Sequence, residues 1–87
     1  PSATASYYRT SHGAEADLVL VYPSGQTCVI EVKRSSAPTV SRGFHQAALD
    51  VQAQHRWLVA PVERNYSTKE GVQVMSPLQA VAALARM

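Results

Sequence analysis

The chain is poor in sulfur, in aromatics and in charge, and each shortage removes a class of function. It has one cysteine, one tryptophan and one phenylalanine in 87 residues. A single Cys28 excludes an internal disulfide and any cysteine-rich zinc or iron–sulfur centre. Between Thr27 and Val29 it reads as a small buried hydrophobe, and a reducing, cytoplasmic setting is expected. His12, His45 and His55 stand at no spacing from one another that suits a zinc site; His12 reads as a turn residue, His45 as a polar position at a helix edge and His55 as the start of a strand. No apolar run approaches the roughly 18 residues needed to cross a bilayer, so no membrane partner is expected. No nucleophile elbow frames a serine. A net charge of +2 is too small to mark a globally basic nucleic-acid binder, although Lys33, Arg34 and Arg42 can form a local positive rim. The chain opens on Pro1, with no basic-then-apolar leader, and is expected to be a processed piece of a larger protein.

What the sequence does have is nearly half hydrophobic residues (46%), enough for one modest core. Residues 1–87 are therefore read as one domain. Into its apolar segments are set three carboxylates and a lysine: Glu15 and Asp17 on one strand, Glu31 and Lys33 on the next. Alternation along a strand sends Glu15 and Asp17 one way, and likewise Glu31 and Lys33. Whether the two pairs meet depends on the Pro23-Ser24-Gly25 turn. A two-residue loop at Ser24-Gly25 sets Asp17 opposite Val32 and separates them. A three-residue loop, with Gly25 left-handed in a G1 bulge, sets Tyr22 opposite Gln26, Asp17 opposite Glu31 and Glu15 opposite Lys33. Opposed Cβ atoms then lie about 4.5–5.5 Å apart. Two carboxylates at that spacing repel, and a divalent cation relieves the repulsion. The three-residue loop is the expectation.

Around this hairpin, residues 1–5 read as a frayed lead-in, 6–10 as a short strand, and Ser11-His12-Gly13 as a turn. In the strand over 15–22, Ala16, Leu18 and Leu20 are expected on one face, Val19 and Val21 with the acids on the other. In the strand over 27–33, Cys28, Ile30 and Val32 are expected on the covered face. A connector follows, and Ser41 caps a helix to about Ala53 whose face is Phe44, Ala47, Ala48 and Val51. Residues 56–60 read as a strand parallel to the third, 61–71 as a charged loop, and 71–75 as a short strand. Ser76-Pro77 starts a last helix with Leu78, Val81, Ala82 and Ala85 inward. Phe44 and Trp57 read as core anchors. The expected fold is α/β, a small mixed β-sheet in the order β-β-β-α-β-β-α.

Asp17, then Glu31-Val32-Lys33 on the next strand, then a helix and a parallel strand, resembles the PD-(D/E)xK, or restriction-endonuclease-like, nuclease superfamily. More narrowly, Tyr8-Arg9-Thr10, Gly13-Ala14-Glu15-Ala16-Asp17-Leu18-Val19 and Ile30-Glu31-Val32-Lys33-Arg34-Ser35 resemble the C-terminal domain of a family of prokaryotic AAA-type ATPases. The resemblance implies a nuclease core lacking its first helix, C-terminal to an ATPase domain of the same parent chain. It implies that Asp17 and Glu31 bind Mg²⁺ (or Mn²⁺) and that Lys33 positions or activates the attacking water. The usual proline before the aspartate is Ala16 here. Related nucleases often carry a glutamine on the following helix, a place Gln46 can take, but the tyrosine that sometimes follows it by four is Asp50.

Phosphodiester hydrolysis needs a hard cation to lower the pKa of a water and to accept charge on the leaving oxygen. Asp17 and Glu31 supply oxygen ligands, with the Val32 carbonyl as a third. Glu15 is either a further ligand or the partner that holds Lys33, and Arg34 and Arg42 are candidates to meet nucleic-acid phosphates. The bland alternative is a salt-bridge cluster on the solvent face of a sheet, worth about 0–1 kcal/mol per pair. The expected function is a Mg²⁺-dependent nuclease-like domain acting on DNA rather than RNA; the alternative is a catalytically silent interaction module of the ATPase.

Overall fold

A computed structural model describes residues 3–87. Strand β1 (Thr4–Arg9) pairs antiparallel with β2 (Glu15–Val21), which pairs antiparallel with β3 (Thr27–Val32). Helix α1 (Arg42–Asp50) carries the chain over to β4 (His55–Val59), parallel to β3 as the crossover rule requires. A two-residue strand β5 (Tyr66–Ser67) and β6 (Gln73–Met75) follow, then helix α2 (Pro77–Ala85). The six strands form one mixed sheet in the order β1-β2-β3-β4-β6-β5. The α/β class and the mixed sheet are as expected. The element order gains β5, hidden in the charged loop because two residues carry no periodicity. Thr4 and Ala5 belong to β1 rather than to a frayed lead-in, whose first two residues lie outside the described ones.

Local chemistry sets the helix boundaries. The Ser41 hydroxyl accepts from the Phe44 amide and the Ser76 hydroxyl from the Gln79 amide, so each helix starts on its serine cap. Helix α1 stops at Asp50, three residues short of the expected end, because Gln52 takes a left-handed φ of 53°.

The two helices cover opposite faces of the sheet, so the face of Val29 and Glu31, not the expected covered one, is covered by α1, and that of Cys28 and Ile30 by α2. Phe44, Ala47 and Ala48 of α1 pack with Val19, Val29, Leu58 and Val74. On the other face Leu20, Cys28, Ile30, Trp57, Val59 and Met75 pack with Ala80 of α2. Glu31 has the parity of Val29 and so belongs to the side that α1 covers; it is 6% exposed, whereas the Val32 side chain is 59% exposed. The salt-bridge alternative placed Glu31 on a solvent face, and its burial corrects that. Cys28 is buried as expected, and burial pushes its thiol up to about 12. Ala16 also changes face, joining Val19 in the α1 cluster.

Helix α2 is turned away from its expected orientation. Leu78 and Val81 are 83% and 66% exposed, while Ala80 is buried and Ala83, Leu84 and Met87 pack at its side. Both faces of this helix are apolar, so periodicity could not choose between them. Two substitutions separate these roles. Phe44→Ala should cost about 3–5 kcal/mol, and Leu78→Ser should stay within about 0.5 kcal/mol, both read from urea denaturation midpoints.

Candidate functional site

The β2–β3 hairpin closes through the expected three-residue loop. Tyr22 donates its amide to the Gln26 carbonyl at 2.9 Å, and Gly25 holds a φ of +91° that a side chain would strain. The ladder then runs Val21–Thr27, Leu20–Cys28, Val19–Val29 and Leu18–Ile30, a register whose next position sets Asp17 against Glu31.

At this position the sheet forks. Pairing between β2 and β3 is not continued past Leu18–Ile30, and the Val32 amide donates to Asp17 Oδ2 at 2.8 Å. On its other side β3 stays bound to β4, with the Lys33 amide donating to the Val59 carbonyl at 2.8 Å. The cause of the fork lies in β2. Ser6 pairs with Val19 but Tyr8 with Ala16, so Asp17 and Leu18 together face Tyr7 in a β-bulge. A bulge re-aims the side chains at its site, here turning the Asp17 carboxylate onto the β3 backbone. It also explains the move of Ala16, since the alternation slips by one between Ala16 and Val19. No glycine marks the bulge, and alternation alone could not reveal it.

The ion pairs differ from the expected ones. Lys33 Nζ lies 3.1 Å from Glu31 Oε2, and Glu15 Oε1 lies 3.0 Å from Arg9. Glu15 therefore has Arg9 as its partner, and Lys33 is held by the glutamate two residues before it. The Glu31 side chain is 8% exposed against 35% for Lys33, so a nearly buried carboxylate is matched by an ammonium that still reaches solvent. Among the described residues no group of three or more His, Cys, Asp or Glu side chains gathers as a metal cage. The oxygen groups near the fork are the Asp17 carboxylate, held on the Val32 amide, and the Glu31 carboxylate, held on Lys33, with the Val32 carbonyl next in sequence to Glu31. Hard oxygen donors of this number suit a cation that keeps several waters, such as Mg²⁺, and do not suit zinc.

Gln46 stands apart from the carboxylates. Its amide donates to Asp50 Oδ1 at 2.8 Å, while Tyr8 donates its hydroxyl to Asp50 Oδ2 at 3.0 Å. These bonds pin the end of α1 to β1, and the Asp50 hydrogen bond raises the Tyr8 phenol above its ordinary value. Gln46 also lines a cleft of about 210 Å³ with His12, Gly13 and Arg42. A larger cleft, about 520 Å³, lies between Ser36 and the loop after β4, lined by Pro61, Val62, Glu63, Arg64 and Tyr66. Neither is lined by Asp17, Glu31 or Lys33, but both open at the sheet end where those residues lie. Arg34, Arg42 and Arg64 at this end form no ion pair among the described residues. Arg64 and Tyr66 escaped sequence reasoning, which read 61–71 only as a charged loop; the structure brings that loop beside Ser36, after Lys33.

Residues 1–80 match the family described as Domain of unknown function (DUF4143). The chain belongs to that family. It is similar to Uncharacterized protein Rv2008c of Mycobacterium tuberculosis and Uncharacterized protein Mb2031c of Mycobacterium bovis, each 36% identical over 66 residues. The match covers 76% of this chain but only 15% of each relative. No solved structure matches. Among the described residues no helix is long and apolar enough to cross a membrane.

Two predictions follow from the packing at this end of the DUF4143 domain. Gly43, in the first turn of α1, lies against the Gly13 carbonyl, and a Cβ there would overlap that oxygen. Gly43→Ala, which in an open helix stabilises by about 0.5–1 kcal/mol, should instead destabilise by about 1–3 kcal/mol in chemical denaturation. Asp17→Ala should lose about 0.5–1.5 kcal/mol in metal-free buffer by removing the acceptor for Val32, and Asp17→Asn, which keeps an acceptor oxygen, should lose less than half of that.

Proposed function

We propose that this domain is a Mg²⁺-dependent, nuclease-like module that hydrolyses phosphodiesters, with DNA preferred to RNA. One observation carries the reading: where the β2–β3 ladder ends, Asp17 accepts from the Val32 amide, next in sequence to Glu31, and Lys33 sits on the Glu31 carboxylate. Asp17, Glu31 and the Val32 carbonyl would hold the cation, which supplies a lowered water pKa and a counter-charge for the leaving oxygen. Mn²⁺ suits the same oxygen donors. Lys33, anchored by Glu31 and still reaching solvent, is placed to orient the attacking water and to offset negative charge in the transition state. Arg34 and Arg42 are placed to meet flanking phosphates, and the bulge gives the Asp17 side chain its direction. Glu15, engaged with Arg9, serves the wall of the site rather than the ligand set.

A second reading has its own support. Asp17 and Lys33 each already have a partner within the fold, and α2 presents Leu78 and Val81 to solvent. Both suit a catalytically silent module that binds the ATPase part of a longer parent chain, and the relatives, several times longer than the match, give room for such a part.

Melting curves with Mg²⁺ or Mn²⁺ distinguish the two. At tenfold excess over its dissociation constant a bound ion adds about 1.4 kcal/mol, which is roughly 5 °C or more for a domain of this size. That shift is expected in the wild type and lost in Asp17→Asn and Glu31→Gln. Lys33→Ala should keep the shift yet abolish cleavage of plasmid and single-stranded DNA. A wild-type curve indifferent to either ion supports the silent module.

A further inference from the structure

The larger cleft points to the kind of nucleic acid that this end of the sheet takes, an inference that rests on the nucleic-acid reading above. Its walls come from two segments that the topology brings together. Strands β3 and β4 run parallel, with Val32 beside Val59. The connector after Lys33, which supplies Ser36, and the loop after β4, which supplies Pro61 to Tyr66, therefore leave the sheet side by side. The cleft thus lies just beyond the C-terminal ends of β3 and β4, the end of the sheet at which β2 and β3 part. In open α/β sheets the ends of parallel strands are where ligands are held.

The chemistry of the walls is mixed in a specific way. Tyr66 is 46% exposed, although its backbone is fixed by pairing with Val74. Pro61 and Val62 supply apolar surface, Ser36 a hydroxyl, and Arg64 a guanidinium without an ion pair among the described residues. Glu63 is the one acid of the lining. An exposed aromatic ring on a rigid strand beside an unpaired arginine is the arrangement that stacks a base and meets its phosphate. A base within a duplex has both faces already stacked and cannot lie on Tyr66.

We propose that the cleft formed by Ser36, Pro61, Val62, Arg64 and Tyr66 holds an unpaired nucleotide, so that the domain selects single-stranded nucleic acid over duplex. The base stacks on Tyr66 and the adjoining phosphate sits on Arg64.

The test is fluorescence anisotropy of the full chain with labelled oligo(dT) and oligo(U), and with the duplex of each, in EDTA so that no cleavage intervenes. Tighter binding of either single strand than of its duplex is expected, with the difference between the two sugars assigning DNA or RNA. Tyr66→Ala should weaken single-strand binding about 5- to 150-fold, the range of one lost stacking contact. Tyr66→Leu, which keeps apolar packing on β5, should lose as much, and Tyr66→Phe should stay within threefold of wild type. Arg64→Ala should weaken binding and lower the salt slope by about one. Duplex bound as tightly as single strand, or Tyr66→Leu within twofold of wild type, overturns the inference while leaving the nuclease reading in place. Wild-type chain that binds neither form, in EDTA or with Ca²⁺, overturns the nucleic-acid reading itself.

Discussion

The left-handed backbone at Gly25 is the constraint on which the site depends. It makes the turn three residues long, which sets Tyr22 against Gln26 and carries the register of the hairpin to Leu18 against Ile30. A turn shorter by one residue would move every side chain of β2 to the other face relative to β3. Asp17 would then face Val32, and Glu31 would be buried without an opposing carboxylate. The register alone does not make the fork. It needs the bulge on β2, which releases β2 from β3 at Asp17 while Lys33 keeps β3 bound to β4.

The hairpin register was legible because a turn containing a glycine, between two apolar strands, admits few lengths, and only one of them brings the carboxylates together. The α1 face was legible for a similar reason: Phe44, Ala47 and Ala48 form one apolar stripe, while Arg42, His45, Gln46 and Asp50 are polar and Leu49 is the one large apolar residue off it. What the sequence could not show was which sheet face α1 would cover. Strands β2 and β3 are apolar on both sides toward the turn, so alternation gave no preference between Val29 and Ile30 as the α1 contact. Helix α2 fails in the same manner, since Leu78, Val81, Ala80 and Leu84 are all apolar and only the packed structure selects among them. The Asp17 bulge is a different case. It is created by how β1 docks, a tertiary effect that leaves no mark on residues 15–22.

The corrected sheet face changes the weight of the site. Four side chains on an open surface would be worth little and would need no account beyond solvation. Glu31, however, lies beneath α1 and is nearly buried, with Lys33 as its ion partner. A buried pair of this kind contributes little net stability, because desolvation offsets the Coulombic gain, and an apolar pair of similar volume commonly serves stability as well or better. Stability therefore gives no reason for a carboxylate at position 31, with the apolar Val29 and Leu58 beside it.

A carboxylate that stability does not require calls for another role, and the local geometry narrows what that role can be. Asp17 is turned toward β3 by the bulge, and it takes the Val32 amide at the point where ladder pairing ends. Glu31 is oriented by Lys33, whose ammonium remains within reach of water. One carboxylate is thus fixed by a backbone donor and the other by a cation, each through one oxygen, at neighbouring positions of β3 where the strands part. Groups fixed in this way bring little reorganisation to the binding of a small hard cation or to the meeting of a phosphate with water. The same fixing is compatible with a retained scaffold, and for that reason binding of the ion and cleavage of the strand are separate questions. In the proposed reading Asp17 and Glu31 bear on the first, and Lys33 on the second.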